Sequence, residues 1–122
     1  MLSEITKKLF RWNTKNLVHE ARLKKSEISN YFAESFLVKA NGKAYRADHD
    51  KYFKFLNDFR STIRSINYEF DEFITSELSV VIPMKAQIIR LDNSEENFEA
   101  ILVLKFNQNN KIVLWHELYI RI

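Results

Sequence analysis

The stretch "NFEAILVLKFNQNNKIVLWHELYIRI", Asn97–Ile122, decides the fold. Phe98, Ala100, Leu102, Leu104 and Phe106 recur at every second position. After the polar break Asn107–Asn110 the alternation resumes in two sets. Ile112, Leu114, His116, Leu118 and Ile120 share one face; Val113, Trp115, Glu117, Tyr119 and Arg121 share the other. A period of two is that of a β-strand, and a cluster of Asn and Gln between two such runs marks a turn. The stretch therefore predicts two long antiparallel strands.

The same period extends upstream. "VVIPMKAQIIRL", Val80–Leu91, places Val80, Ile82, Met84, Ala86 and Ile88 on one side, and "SINYEF" does so with Ile66, Tyr68 and Phe70. The polar segment "DNSEEN" separates Val80–Leu91 from the closing pair, giving a meander of long strands. Pro83 has no N–H to give a ladder, so an edge or a bulge is expected there, and a bulge would bend the sheet.

Before residue 64 the pattern is helical. Ser3 is a cap candidate for a helix whose Ile5, Leu9 and Trp12 share one face. "WNTKN" weakens that helix, because Asn and Thr compete for backbone bonds. Residues 17–25 fit either a helix or an ordered loop, and Ser26 is a second cap candidate leading Ile28, Tyr31 and Phe32. "FLVKANGKAYRA", Phe36–Ala47, is a hairpin around Asn41–Gly42, which supplies the positive φ angles of a type I′ turn. Asp48 or Asp50 then caps a helix with the stripe Tyr52, Phe53, Leu56, Phe59 and Ile63. Helices followed by a long sheet define an α+β class: a curved, mostly antiparallel sheet wrapped around N-terminal helices into a cone-shaped α+β barrel, as one domain over residues 1–122.

Composition narrows the function classes. The 122 residues are 46% hydrophobic and 29% charged, which suits a globular domain, and 14% aromatic, which suits a thick core or an apolar cavity. Cys is absent, which removes disulfides, thiol nucleophiles and thiolate metal sites. The three His show no metal-ligand spacing, so no metal or other cofactor is expected. No apolar run reaches membrane-spanning length and no signal peptide is legible, so a cytoplasmic location without membrane contact is the expectation. The net charge of +3 is uneven: residues 1–61 hold 13 Lys and Arg against 7 Asp and Glu, residues 62–122 hold 6 against 9. The excess gathers at Lys7, Lys8, Arg11, Lys15, Arg22, Lys24 and Lys25. Such a patch attracts phosphates or is a solvated helix face; the second reading is the commoner, and nucleic-acid binding is not expected.

The order and spacing of several pieces resemble the nuclear transport factor 2-like superfamily, in particular its SnoaL-like and ketosteroid-isomerase-like members. These pieces are "LFRWN", "YFAESFLVKANG", the helix from Asp48, the strand around "IPM" and "FNQNNKIVLWHELY". The resemblance implies a cone with a pocket at its open end, a homodimer, and cofactor-free chemistry in those members that are enzymes; the apolar set Ile112, Leu114, His116, Leu118 and Ile120 points to the outer sheet face as the dimer surface. By an ungapped match, the carboxylate base of ketosteroid isomerases falls near Ala40, their helix-one Tyr at Trp12, and their partner acid at Leu102. None of these residues can do that work, which argues against steroid isomerisation.

The resemblance turns Glu117 inward between Trp115 and Tyr119. There partial desolvation would raise its pKa, as suits a general acid or base, unless a Lys or Arg of a neighbouring strand pairs it or it lies at the wetted rim. The ligand-lining candidates are Trp12, Tyr31, Phe53, Tyr68, Met84, Leu102, Leu104, Trp115 and Tyr119, which would otherwise fill the cone as core. His116 falls outward among aliphatics. "DHD", Asp48–Asp50, reads as capping, and Glu69 and Asp71 read as solvent-facing. Two functions stay open at this point: a SnoaL-like domain for a small apolar molecule, with Glu117 as acid–base if it is an enzyme, and a non-catalytic dimerising or ligand-carrying domain.

Overall fold

The computed structural model describes residues 1–122. The elements run α1 (Leu2–Asn16), α2 (Lys25–Ile28), β1 (Phe32–Ala40), β2 (Lys43–Asp48), α3 (His49–Arg60), β3 (Ile63–Phe70), β4 (Ile74–Thr75), β5 (Ser79–Arg90), β6 (Glu95–Phe106) and β7 (Ile112–Arg121). They form a curved, unclosed α+β cone. Six strands lie in the order β2-β1-β7-β6-β5-β3, with the short β4 also on β5. Every pair is antiparallel except β1–β7, which is parallel.

The β half follows the alternation in the sequence. Val80, Ile82, Met84 and Ile88 of β5 and Ala100, Leu102, Leu104 and Phe106 of β6 are all buried and lie on one face. The predicted turn at Asn41–Gly42 forms, with φ of 49° and 86° and Ala40 paired to Lys43. Asp48 caps α3, its Oδ1 accepting the Lys51 N–H at 2.8 Å.

Pro83 departs from expectation. It sits within β5, paired to Ile101 with no register shift, so it marks neither a sheet edge nor a bulge. Its carbonyl accepts the Asp71 N–H at 3.0 Å, where β3 has ended and β4 has not begun. In an extended strand a residue's N–H and C=O point the same way, so the missing donor faces this local gap. The register shifts that help curve the sheet fall instead in the β1–β7, β6–β7 and β3–β5 pairings.

The helical half differs in more places. The first helix begins at Leu2, so Ser3 lies inside it and makes no cap. It continues through "WNTKN", because Thr14 and Asn16 bond back to the Phe10 and Trp12 carbonyls, at 2.9 and 3.0 Å, rather than breaking it. Its buried face is Leu2, Thr6, Leu9, Phe10, Asn13 and Asn16, with Ile5 and Trp12 only flanking it. Thr6 is fully buried because its hydroxyl donates to the Leu2 carbonyl at 2.8 Å. Residues 17–24 are loop. Ser26 lies inside the single turn α2, whose cap is Lys24, and "YFAESF" belongs mostly to β1 rather than to a helix. Ile63 starts β3; α3 ends at Arg60.

Phe10 locks helix to sheet. Its ring lies 4.8 Å from Tyr68, 5.1 Å from Phe70 and 6.1 Å from Trp115, so one side chain reaches β3 and β7 together. Replacing Phe10 by Ala is expected to cost about 3–5 kcal/mol in urea unfolding. Gly42→Ala meets no steric obstacle, since nothing lies within 4 Å of a new Cβ. Its cost of about 1–2 kcal/mol is therefore backbone strain, and Gly42→Asn should restore part of it.

Candidate functional site

The last strand positions the site. Across β6, Leu104 pairs with Trp115, Leu102 with Glu117 and Ala100 with Tyr119. The three β6 residues are core, so their partners face inward too. On the other side β1 pairs Val38 with Trp115 and Ala40 with Glu117. Neither cross-strand neighbour of Glu117 is charged, and Glu117 forms no ion pair.

The surroundings of Glu117 are aromatic. Trp115, two residues earlier on the same face, stands 6.1 Å from Phe10 and 6.2 Å from Phe32. Burial raises the pKa of Glu117, and a hydrogen bond from Trp115 opposes the rise. Burial raises the pKa of Tyr52 on α3 and of Tyr68 on β3, and the negative charge of Glu117 adds to the rise. Both phenols stand well above their ordinary range, chiefly through burial; Asn13 of α1 hydrogen-bonds to Tyr68 and offsets part of that. One carboxyl and two phenols thus share a desolvated interior.

The remaining residues singled out in the sequence divide into groups. Leu102, Leu104 and Met84 are buried core, and Phe53 packs at its margin. Tyr119 is 40% exposed at the rim, its ring 5.8 Å from Phe98. Trp12 and Tyr31 are not brought to Glu117. Their rings pair with each other at 6.0 Å, and both line a groove of about 550 Å³ between α1 and the 17–24 loop. Helix geometry explains this: at about 100° per residue, Trp12 points nearly opposite to Phe10. A second concavity of about 530 Å³ straddles the rim and is lined by inward Met84, Ala100 and Tyr119 and by outward Pro83, Ile101, Leu118 and Ile120. Neither concavity is lined by Glu117.

The histidines are structural in their contacts. The Nε2–H of His49 donates to the carbonyls of Phe32 and Ala33, at 3.1 and 2.9 Å, tying α3 to β1. His19 Nδ1 lies 3.2 Å from the Ile63 carbonyl. His116 is on the outer face, opposite Val103 and Lys39. Asp50 pairs with Lys25 at 2.7 Å, and Glu69 and Asp71 are exposed. No group of three or more His, Asp or Glu could hold a metal ion. Two members of the interior set escaped the sequence reading of the site. Tyr52 was legible only as part of a helix stripe, and Asn13 only as a poor helix former.

Neither a protein-family model nor a curated protein sequence matches the chain. Solved structures do. A candidate polyketide cyclase from Acidithiobacillus ferrooxidans superposes with a TM-score of 0.80 at 12% identity, covering 97% of this chain and 87% of that one. The epoxide hydrolase/cyclase-like enzyme SalBIII of pyran-ring formation in salinomycin gives 0.77 at 14%, covering 97% and 89%. A nuclear transport factor 2-like protein from Anabaena variabilis gives 0.77 at 13%, covering 97% and 88%. The chain has the nuclear transport factor 2-like cone fold. No helix is long and apolar enough to cross a membrane.

The raised pKa of Glu117 fixes the sign of a pH effect. A carboxyl harder to ionise when folded costs nothing below the ordinary glutamate range. The cost grows as the pH climbs from that range to the raised pKa and is constant above it. Glu117→Gln is therefore expected to raise Tm at pH 8, on the order of 3 °C, with the gain vanishing near about pH 4. Scanning calorimetry across that range checks it.

Proposed function

We propose that this chain is a SnoaL-like domain that takes a small apolar molecule at the cone, with Glu117 as its acid–base group. The observation that supports it is a desolvated, unpaired carboxyl among aromatic rings on an inner cone wall. The resemblance adds to it: Glu117 lies between Ala40 and Leu102, where ketosteroid isomerases carry their base and partner acid. The carboxyl function is then kept, but on the strand between. Protonated, Glu117 can give its proton to a carbonyl or epoxide oxygen; ionised, it can take one from a carbon acid. Tyr68 and Tyr52, held neutral by burial, can donate to a developing oxyanion. Around Glu117 the interior is filled by Phe10, Trp115 and Phe32, so a ligand approaches from the rim. There Tyr119, Ala100 and Met84 follow Glu117, Leu102 and Ile82 as the next inward residues.

A library of polycyclic, steroidal and acyl probes should contain ligands that raise Tm, by about 2.7 kcal/mol of stabilisation at one hundred times Kd. Glu117→Gln should keep that shift and lose turnover of an epoxide or polyketide-like substrate. A kept shift with no turnover in either protein selects the ligand carrier over the enzyme. No stabilising probe at all defeats the reading.

A second reading concerns self-association. Ile101, Leu118 and Ile120 are 52%, 58% and 60% exposed on the outer face of neighbouring strands, where Ile101 pairs with Leu118. A contiguous exposed patch of this kind is a protein-interaction surface, and a homodimer through it is the natural partner. Sedimentation velocity should show a dimer at micromolar concentration and a folded monomer for Leu118→Lys.

A further inference from the structure

The groove on the outer side of α1 collects the cations that the sequence shows only as a scattered excess. Lys8, Arg11, Lys15, Arg22 and Lys24 line it together with two carboxylates, Glu20 and Glu27, leaving three net positive charges around one concavity. None of the five cations makes an ion pair or a side-chain hydrogen bond; the three ion pairs of the protein are Lys7–Glu4, Lys25–Asp50 and Arg90–Glu96. Glu27 already accepts the Trp12 indole N–H at 3.0 Å. All five are solvent-exposed, so an anion entering the concavity meets uncommitted donors.

The wall of the groove is fixed rather than loose. Arg60 of α3 donates from one guanidinium nitrogen to the carbonyls of Val18, His19 and Ala21, at 2.9, 3.3 and 2.7 Å. The His19 N–H donates to the Ile63 carbonyl at 2.8 Å. The 17–24 loop is thereby tied to α3 and β3 across some forty residues of sequence. The floor is aromatic, with the Trp12 and Tyr31 rings 6.0 Å apart. Its volume of about 550 Å³ suits a small molecule.

We propose that this groove is a second ligand site, separate from the cone interior, which takes a multiply charged organic phosphate with a planar ring. Phosphate accounts for the charge: the three positive charges left over by Glu20 and Glu27 exceed what a single ligand carboxylate would neutralise, and Arg binds phosphate oxygens in bidentate fashion. The half-buried Trp12 accounts for the ring, which would rest against it. Concavity favours a small molecule over a nucleic-acid strand, which needs an extended basic track.

The test uses the intact chain at physiological salt with ATP, inorganic tripolyphosphate and a single-stranded oligonucleotide as probes. Trp115→Phe leaves Trp12 as the sole tryptophan reporter, and calorimetry on the unaltered protein covers the event that this core variant misfolds. ATP should quench Trp12 fluorescence saturably with Kd on the order of 100 μM. Arg11→Gln with Arg22→Gln, both exposed positions, should weaken it at least about tenfold without changing Tm. Tripolyphosphate should bind less tightly than ATP. Absence of saturable binding to ATP overturns the proposal. So does tripolyphosphate binding as tightly as ATP, which would mean charge alone is read. Oligonucleotide affinity that exceeds that of ATP and grows with length overturns it in favour of a nucleic-acid surface.

Discussion

The architecture depends on covering the concave face of a sheet that does not close. A curved sheet with one apolar face must bury it against something. Here α1 does so, and Phe10 is the contact that spans the gap, meeting Tyr68 and Phe70 on the edge strand β3 and Trp115 on β7. Phe32, Phe36 and Tyr52 fill the other flank, with ring separations of 4.7–5.2 Å. The aromatic richness of the sequence is spent largely on this filling.

That filling also sets the chemistry. Glu117 lies at the centre of the strand order, with an alanine on one side and a leucine on the other. Alternation turns Lys39 and His116, the nearest candidates for partners, to the opposite face of the same strands. The carboxyl is therefore perturbed by loss of water rather than by a counter-charge, and the two causes have opposite signs: an ion pair would lower its pKa, whereas burial raises it. The displacement is upward, the direction that suits a carboxyl to acid–base work.

What could be read from the sequence follows from the range of the interactions responsible. Strands β5, β6 and β7 and the division of β7 into two faces rest on a local period of two, whereas the inward turn of Trp115, Glu117 and Tyr119 rests on the resemblance. The Asn41–Gly42 turn and the Asp48 cap are likewise local. The parallel β1–β7 pairing joins residues about 80 apart and leaves no mark in either segment, so the start of β1 at Phe32 was hidden. The 17–24 loop is shaped by Arg60, and no propensity within the loop announces that. Thr6, Asn13 and Asn16 look like solvent residues by type; each is buried because a hydrogen bond within reach satisfies it. Of the candidate site, the strand positions were legible as one of two faces of β7, and the helix positions Asn13 and Tyr52 were not.

The same helix separates the two regions of charge. Phe10 and Asn13 look into the cone, while Lys8, Arg11, Trp12 and Lys15 line the outer groove. With 3.6 residues per turn, a 15-residue helix has room for both faces, and its hydrogen-bonded backbone lies between them. Five cations placed inside the cone would pair with Glu117 and pull its pKa down; placed outside, they leave it raised. The uneven charge along the sequence thus has in part a spatial counterpart: five cations of the first half gather at the outer groove beside α1. The one acid of the closing strand stands half-buried on the inner face.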